Sequence, residues 1–305
     1  MAETELSWDR KLAEIGAEKG FYEAVGDEHK ALFVQGSSTL VVTFDNLDDA
    51  RQDETGRLPW GSDFAVSNGW SSLGIMAHGW TWFRTQEMDA FFDRLKAEGF
   101  FDRFERVVFY GVSMGGFGAT AFARAAPGCT VIAMSPQATL DRAITGAWET
   151  RFVKGWSRDY SGPYGFGPMG ANSADRVFLF HDPLVSEDAG HAALFDGPNI
   201  VHVPCRRFGH GLASALARMG ILKTLVTGIV DEDIGPTEIF RIMRARRHSR
   251  PYQKALLRRL EQSDHPLLTQ RFCKAVLAMS KPGSRPHFVN AMRHAEAQIA
   301  ARSAP

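Results

Sequence analysis

The sequence predicts an α/β domain with parallel strands, followed by a helical C-terminal appendage. Three observations support this fold class. Short apolar runs of strand length recur between segments with helical spacing, which is typical of a parallel sheet built from strand–helix units. Between Arg106 and Thr120, an apolar run passes directly into a glycine- and alanine-rich segment. From Asp231 onward only helical patterns remain, so we expect domains at 1–230 and 231–305.

Composition narrows the range of functions. Of the 305 residues, 44% are hydrophobic, and Lys+Arg and Asp+Glu are equal at 35 each. This balance gives no overall field that would attract nucleic acid or an anionic membrane. The three cysteines, Cys129, Cys205 and Cys273, are widely spaced, which predicts reduced thiols and no metal cluster. The polar N-terminus lacks a secretory signal and no apolar run reaches the roughly 20 residues of a membrane helix, so we expect a cytoplasmic protein.

Several elements can be placed from their patterns. Two apolar runs, 31–35 and 39–44, flank Gly36-Ser37-Ser38 and predict a hairpin at the sheet edge. Residues 86–97 carry an apolar stripe with helical spacing, which predicts a helix packed on the core. The apolar run at 129–135 suits a central parallel strand that is buried on both faces.

The strongest functional signal is the pentapeptide Gly111-Val112-Ser113-Met114-Gly115. A nucleophilic serine projects from a tight turn between a strand and a helix, where neighbouring side chains would clash, and the two glycines remove those side chains. The turn also places the serine at a helix N-terminus, where free N–H groups stabilise negative charge. The alternative is an ordinary strand–loop–helix junction. The β-prone run before the motif and the helical segment after it favour the nucleophile.

Acidic and basic residues follow two later predicted strands. The run 177–180 ends in His181-Asp182-Pro183, and Asp188 stands six residues after Asp182, at a predicted helix start. The run 199–203 is followed by a loop in which glycines flank His210. Each aspartate also has a structural interpretation, because Asp182 could cap a turn and Asp188 could be a charge at a helix N-terminus.

The serine motif and these residues together resemble the α/β-hydrolase superfamily over roughly residues 31–230. The resemblance implies an eight-stranded, mostly parallel sheet flanked by helices, and a Ser–acid–His triad in that chain order. It assigns Ser113 as nucleophile and His210 as general base. It places the acid in the loop after strand 177–180, where Asp182 is the first choice and Asp188 the alternative.

The same resemblance implies two backbone donors for an oxyanion. One is the N–H of Met114, directly after the serine. The other follows the strand 39–44 and falls near Asn46, although the His-Gly pair that is common in the superfamily is missing there. The alternative is that Asn46 belongs to an Asx-rich turn with no catalytic part.

Residues 141–175 combine aromatic side chains with frequent glycines and sustain no strand or helix period. We interpret this segment as a lid or pocket wall, with Trp148, Trp156 and Tyr164 as candidate substrate contacts. The alternative is a surface loop whose aromatic rings pack on the domain. Further along, residues 241–259 are rich in arginine and contain no acidic residue, so an acidic partner or a phosphate group could bind there, whereas no nucleic-acid motif is present.

The sequence therefore predicts a serine hydrolase that cleaves an ester or thioester. An acyltransferase on the same triad is the second hypothesis. A binding module that acts through the arginine-rich helices is the third. No metal or other cofactor is expected, because the histidines and cysteines show no clustered ligand spacing and the glycines at 111–118 belong to the serine turn.

Overall fold

A computed structural model describes residues 2–46, 58–281 and 283–303 of the chain. It divides the chain into two compact units, 1–213 and 214–305. The predicted domain boundary between residues 230 and 231 stays a prediction, because compactness alone does not show where an independently folding domain ends.

An eight-stranded sheet is the centre of the first unit. Its strand order is β1-β2-β4-β3-β5-β6-β7-β8, in which β1, β2 and β4 pair antiparallel and all other neighbours are parallel. The strands are β1 (Gly20–Val25), β2 (His29–Val34), β3 (Thr39–Asn46), β4 (Ser71–Ala77), β5 (Arg106–Val112), β6 (Thr130–Met134), β7 (Arg176–His181) and β8 (Ile200–Pro204). The predicted fold class, a mostly parallel sheet with helices and a C-terminal helical region, is confirmed.

The described α-helices alternate with the parallel strands and then fill the C-terminal part of the chain. They are α1 (Ala2–Lys19), α2 (Ser62–Ser67), α3 (Gln86–Ala97), α4 (Met114–Ala121), α5 (Arg142–Thr145), α6 (Gly167–Ala171), α7 (Ser186–Ala193), α8 (Leu212–Arg218), α9 (Leu222–Val230), α10 (Pro236–Met243), α11 (Arg250–Gln262), α12 (Pro266–Ala278) and α13 (Pro286–Ser303).

The predicted hairpin between residues 31–35 and 39–44 is wrong. β2 pairs with β1 on one side and with β4 on the other, so β4 lies between β2 and β3. The reason is burial: seven of the eight residues of β3 are buried, as in a strand that is covered on both faces within a parallel sheet. Such a strand lies inside the sheet, and an edge hairpin would expose one of its sides.

Aromatic packing fixes helix α4 against the sheet. The rings of Phe92 and Phe122 stack with centroids 4.3 Å apart, and Phe44 on β3 lies 5.8 Å from Phe122. A Cβ at Gly118 would lie only 2.6 Å from the Phe44 ring, so the glycine allows this close approach. The turn that precedes α4 therefore leads into a helix whose position on the sheet is fixed.

The second unit has its own small core, which contains Leu257, Cys273, Val276 and Phe288 from α11, α12 and α13. Among the described residues, no single helix has the length and hydropathy for a membrane span, although α8 and α9, bent by 102° at their junction, meet the criterion as a pair.

Candidate active site

Ser113 stands on the strained turn between β5 and α4. Its backbone φ is 53° and ψ is −118°, a conformation that a non-glycine residue rarely adopts. The turn needs its glycines, because a Cβ at Gly111 would lie 1.9 Å from the carbonyl oxygen of Gly115, and a Cβ at Gly115 would lie 2.6 Å from that of Phe44. The sequence signal therefore corresponds to a strand–turn–helix of the kind that presents a nucleophilic serine.

His210 meets Ser113 from the loop after β8. The Ser113 Oγ and the His210 Nε2 are 2.9 Å apart. The loop bends through positive φ values of 71° at Arg207 and 70° at Gly209. These bends bring a residue 97 positions away from Ser113 to the same edge of the sheet.

The acid on His210 is Asp188, and the preference for Asp182 is corrected by the geometry. Both Asp188 carboxylate oxygens accept from His210 Nδ1, at 2.9 and 3.0 Å. Asp182 instead accepts from the N–H of Leu184 at 3.0 Å and from the N–H of Gly209 at 2.8 Å. Asp182 directly follows β7 and holds the histidine loop through a backbone N–H, whereas the first turn of α7 brings Asp188 to the imidazole. Distance from the strand end was therefore a poor guide to the acid.

The hydrogen bonds fix the proton positions of this chain of groups. An ionised carboxylate only accepts, so Nδ1 of His210 carries the proton that is donated to Asp188, and Nε2 accepts from the Ser113 hydroxyl. Burial alone would raise the pKa of Asp188, but the hydrogen bond from His210 and the contact with Arg151 lower it below its usual value. Asp188 therefore stays ionised and holds the imidazole in the tautomer that can accept a proton from serine.

A second carboxylate joins this site through Arg151. The guanidinium donates to Asp188 Oδ1 at 2.8 Å and to Glu149 Oε2 at 2.6 Å. The Glu149 side chain is completely buried, and it also accepts from His191 at 3.1 Å. Sequence analysis missed both Glu149 and Arg151, which lie in the aromatic segment 141–175.

Gln137 is a further missed residue beside Ser113. Its buried side-chain Nε2 lies 3.4 Å from Ser113 Oγ, and its Oε1 accepts from the indole N–H of Trp82 at 2.9 Å. Because an indole N–H can only donate, the amide carbonyl must face Trp82 and the amide nitrogen must face the serine. Only the position of Gln137 shortly after a buried strand could have indicated its role.

The two predicted oxyanion donors differ in the structure. Met114 opens α4, and the first N–H groups of a helix have no partner inside the helix, so its N–H suits the predicted role. Asn46 lies within β3, and its N–H donates to the carboxylate of Asp45 at 2.9 Å. The prediction for Asn46 is therefore corrected, since its N–H already satisfies a neighbouring charge.

The three predicted aromatic contacts have other neighbours in the structure. Tyr164 belongs to the core: its ring stacks on Phe122 at 4.7 Å and its hydroxyl donates to Asp93 at 2.7 Å, so it is corrected to a packing residue. Trp148 packs edge-on against His191 at 4.7 Å, and Trp156 is half-buried beneath the Arg142 guanidinium. The aromatic ring of this segment that approaches the imidazole is Phe152, with centroids 5.7 Å apart.

Comparisons with known proteins give only distant likenesses. No family model and no curated protein matches the sequence. Among solved structures, the capsule O-acetyltransferase of Neisseria meningitidis serogroup A matches at 11% identity and a TM-score of 0.43, over 67% of this chain and 93% of that one. An esterase of Pyrococcus furiosus matches at 15% identity and a TM-score of 0.35, over 67% and 90% of the two chains. An esterase of Pyrobaculum calidifontis matches at 13% identity and a TM-score of 0.40, over 74% and 92%. Likenesses at this level transfer no activity to the chain, whose fold class follows from its own sheet order.

Proposed function

We propose that the protein is a serine hydrolase that cleaves an ester or thioester through an acyl-enzyme on Ser113. One observation carries this proposal: Ser113, His210 and Asp188 form a continuous chain of hydrogen bonds of 2.9 Å each. A strained serine, an imidazole in the correct tautomer and a buried carboxylate are the parts that activate a hydroxyl nucleophile.

The proposed reaction begins with attack of Ser113 Oγ on the carbonyl carbon while His210 Nε2 takes the hydroxyl proton. Asp188 stabilises the imidazolium that forms. The N–H of Met114 donates to the developing oxyanion, a contact whose removal costs about 3 kcal/mol of barrier in enzymes where it has been measured. The imidazolium then protonates the departing alcohol or thiol. Water attacks the acyl-enzyme, His210 takes its proton and returns it to Ser113, and the free acid leaves.

The test is covalent labelling with a fluorophosphonate probe. Wild-type protein is expected to label, and Ser113→Ala and His210→Ala are expected to lose labelling by at least about 10³-fold. Ser135→Ala is a matched control, because Ser135 also has a positive φ, of 48°, and directly follows the neighbouring strand β6. Its buried hydroxyl has no hydrogen-bond partner among the described residues.

The labelling results of these variants distinguish Ser113 from other serines as the nucleophile. Labelling of wild type and Ser135→Ala, but not of Ser113→Ala, supports the proposed nucleophile. Equal labelling of wild type and Ser113→Ala would contradict it. The acyl acceptor is then identified with an aryl ester substrate: release of free acid alone fits hydrolysis, whereas acyl transfer to an added alcohol or sugar would change the proposal to an acyltransferase.

A further inference from the structure

Glu149 and Arg151 form a buried ionic arrangement behind the acid of the proposed triad. Arg151 contacts Glu149 through both Nε, at 3.1 Å, and Nη2, at 2.6 Å, and its remaining Nη1 reaches Asp188 at 2.8 Å. The Glu149 and Asp188 side chains are 0% and 1% exposed, respectively, and that of Arg151 is 24% exposed. Such contacts are short, charge-assisted and fixed in direction.

His191 completes this arrangement as a neutral group. The backbone N–H of Ala138 donates to His191 Nδ1 at 3.2 Å, so Nδ1 has no proton and Nε2 donates to Glu149. Burial lowers the pKa of His191, although the hydrogen bond to Glu149 opposes this effect. The charged members are therefore Asp188, Glu149 and Arg151, with a summed charge of −1.

This charge matters because His210 becomes positive during the proposed reaction. Arg151 on its own would neutralise Asp188 and weaken its attraction for the imidazolium. Glu149 offsets the guanidinium, so that the group is negative while His210 is neutral and becomes neutral overall when His210 is protonated. At the same time, Arg151 holds Asp188 Oδ1 in place.

We propose that Arg151 and Glu149 are positioning residues of the active site: Arg151 orients Asp188, and Glu149 restores the negative charge that stabilises protonated His210. This inference rests on the proposed function. It also assigns a role to part of the segment 141–175, which carries Arg151. Arg151 and Asp188 are 37 residues apart in the chain and are in contact in the structure.

Other charged and titratable groups face His210 or its acid, and every variant below keeps them. Asp182 holds the N–H of Gly209, and His181 interacts with Asp188 from the end of β7. Glu187 on α7 interacts with Arg151 and Glu149, and the loop that carries His210 also contains Arg206 and Arg207. Because these groups are common to all variants, they cancel in the comparison.

The experiment measures the rate of fluorophosphonate labelling between pH 5 and 9 for wild type, Glu149→Gln, Arg151→Met, the double variant and Arg151→Lys. Labelling needs the unprotonated imidazole, so the rate rises with pH. Loss of the Glu149 charge disfavours the protonated imidazole and is expected to move the midpoint of this rise down by about one pH unit. Loss of the Arg151 charge is expected to move it up by a similar amount. The double variant is expected to lie near wild type, and Arg151→Lys to keep the wild-type midpoint.

Arg158→Met is the matched control. Arg158 lies in the same segment and makes a two-point contact with Glu28, at 2.5 and 2.7 Å, but does not contact Asp188. Its loss should change stability and leave the midpoint unmoved. Opposite displacements for the two single variants support the inference, whereas equal midpoints, or displacement in the same direction, would overturn it.

Two other results are also decisive. If Glu149→Gln does not fold, the pair Arg151→Met and Arg151→Lys decides, because only the first removes the charge; equal midpoints in that pair overturn the inference. If wild type does not label at all while thermal unfolding shows a folded protein, the proposed function fails and the inference fails with it. Labelling of wild type with unmoved midpoints would overturn the inference alone.

Discussion

The geometry of the serine turn and that of the ionic arrangement behind Asp188 are determined by different interactions. Around Ser113, backbone atoms decide the geometry: two glycines remove Cβ atoms that would overlap neighbouring carbonyl groups, and the serine adopts a strained φ of 53°. Around Asp188, side-chain charges decide it: a guanidinium links two buried carboxylates that lie 39 residues apart in the chain, at positions 149 and 188.

Because the two regions are held by different interactions, we expect different kinds of substitution to damage them. A backbone turn has no alternative arrangement once a Cβ intrudes, so we expect loss of the fold. An isosteric neutral residue in a charge cluster keeps the packing but removes electrostatic stabilisation, so we expect effects that depend on pH. The following predictions test this difference.

The largest expected effect is that of Gly111→Ala. A Cβ at this position would lie 1.9 Å from the carbonyl oxygen of Gly115, which is backbone and cannot move aside without opening the turn. We expect destabilisation by more than about 4 kcal/mol, or no soluble protein, measured by thermal unfolding. Gly211→Ala is the control, because a Cβ at Gly211 meets nothing within 4 Å. Equal stability of the two variants would show that the turn is not dictated by backbone sterics.

The next largest effect separates the two aspartates. Asp188→Asn should reduce the labelling rate by about 10⁴-fold, because an amide both loses the charge and favours the wrong imidazole tautomer. Asp182→Asn keeps an acceptor oxygen for only one of the N–H groups of Leu184 and Gly209, which bind different carboxylate oxygens, so we expect a loss of about tenfold or less. Labelling rates at a pH above the midpoint test both variants. The reverse order of the two losses would return Asp182 to the role of the acid.

A smaller effect is expected in the stability of Glu149→Gln. Burial alone would raise the pKa of Glu149, but hydrogen bonds from His191 and Arg151 lower it from 4.5 to about 2. Because the folded-state pKa lies below the unfolded one, the stabilisation is complete above pH 4.5 and is lost as the pH falls towards 2. The free energy of unfolding of Glu149→Gln should therefore fall below that of wild type by about 3 kcal/mol near neutral pH.

Denaturant titrations between pH 2 and 7 measure this difference. It should shrink steadily through the window from about 4.5 to about 2. Glu18→Gln serves as the control, since this exposed carboxylate makes, among the described residues, a single long ion pair of 3.7 Å with Lys19 and should change stability by less than about 0.5 kcal/mol at any pH. A difference that stays constant with pH would mean that packing, and no charge effect, explains the loss.

The sequence predicted what local chemistry determines. The glycines around Ser113 and those beside His210 mark tight turns at strand ends, and each signal lies within a few residues. The acid could not be ranked in the same way, because the choice depends on how the chain turns between Asp182 and α7. Glu149 and Arg151 gave no signal, since the segment around them has no period and their partners are distant in the chain. For the same reason the position of β4 between β2 and β3 was missed: it depends on which strand is covered on both faces.

Gln137 lies where the two regions meet, and its substitution is expected to have a much smaller effect on activity than Asp188→Asn. Its amide faces Ser113 Oγ at 3.4 Å, while the next residue, Ala138, donates to His191 in the ionic arrangement. At this length the contact is weak, and in the proposed reaction it would matter more as charge develops on the substrate oxygen. Gln137→Met removes the amide and leaves the indole N–H of Trp82 without its acceptor.

We expect Gln137→Met to lower the labelling rate by about tenfold with no shift of the pH midpoint, because no charge changes. Trp82→Phe is the companion variant: it removes the indole N–H that orients the amide, together with part of a fully buried ring, and it leaves the amide itself in place, so it should cause a smaller loss of labelling. If Gln137→Met also moves the midpoint, then Gln137 acts through Ala138 and His191 on the charged groups, and the two regions are less independent than their contacts indicate. If both variants label at the wild-type rate, the Gln137 amide takes no part in acylation.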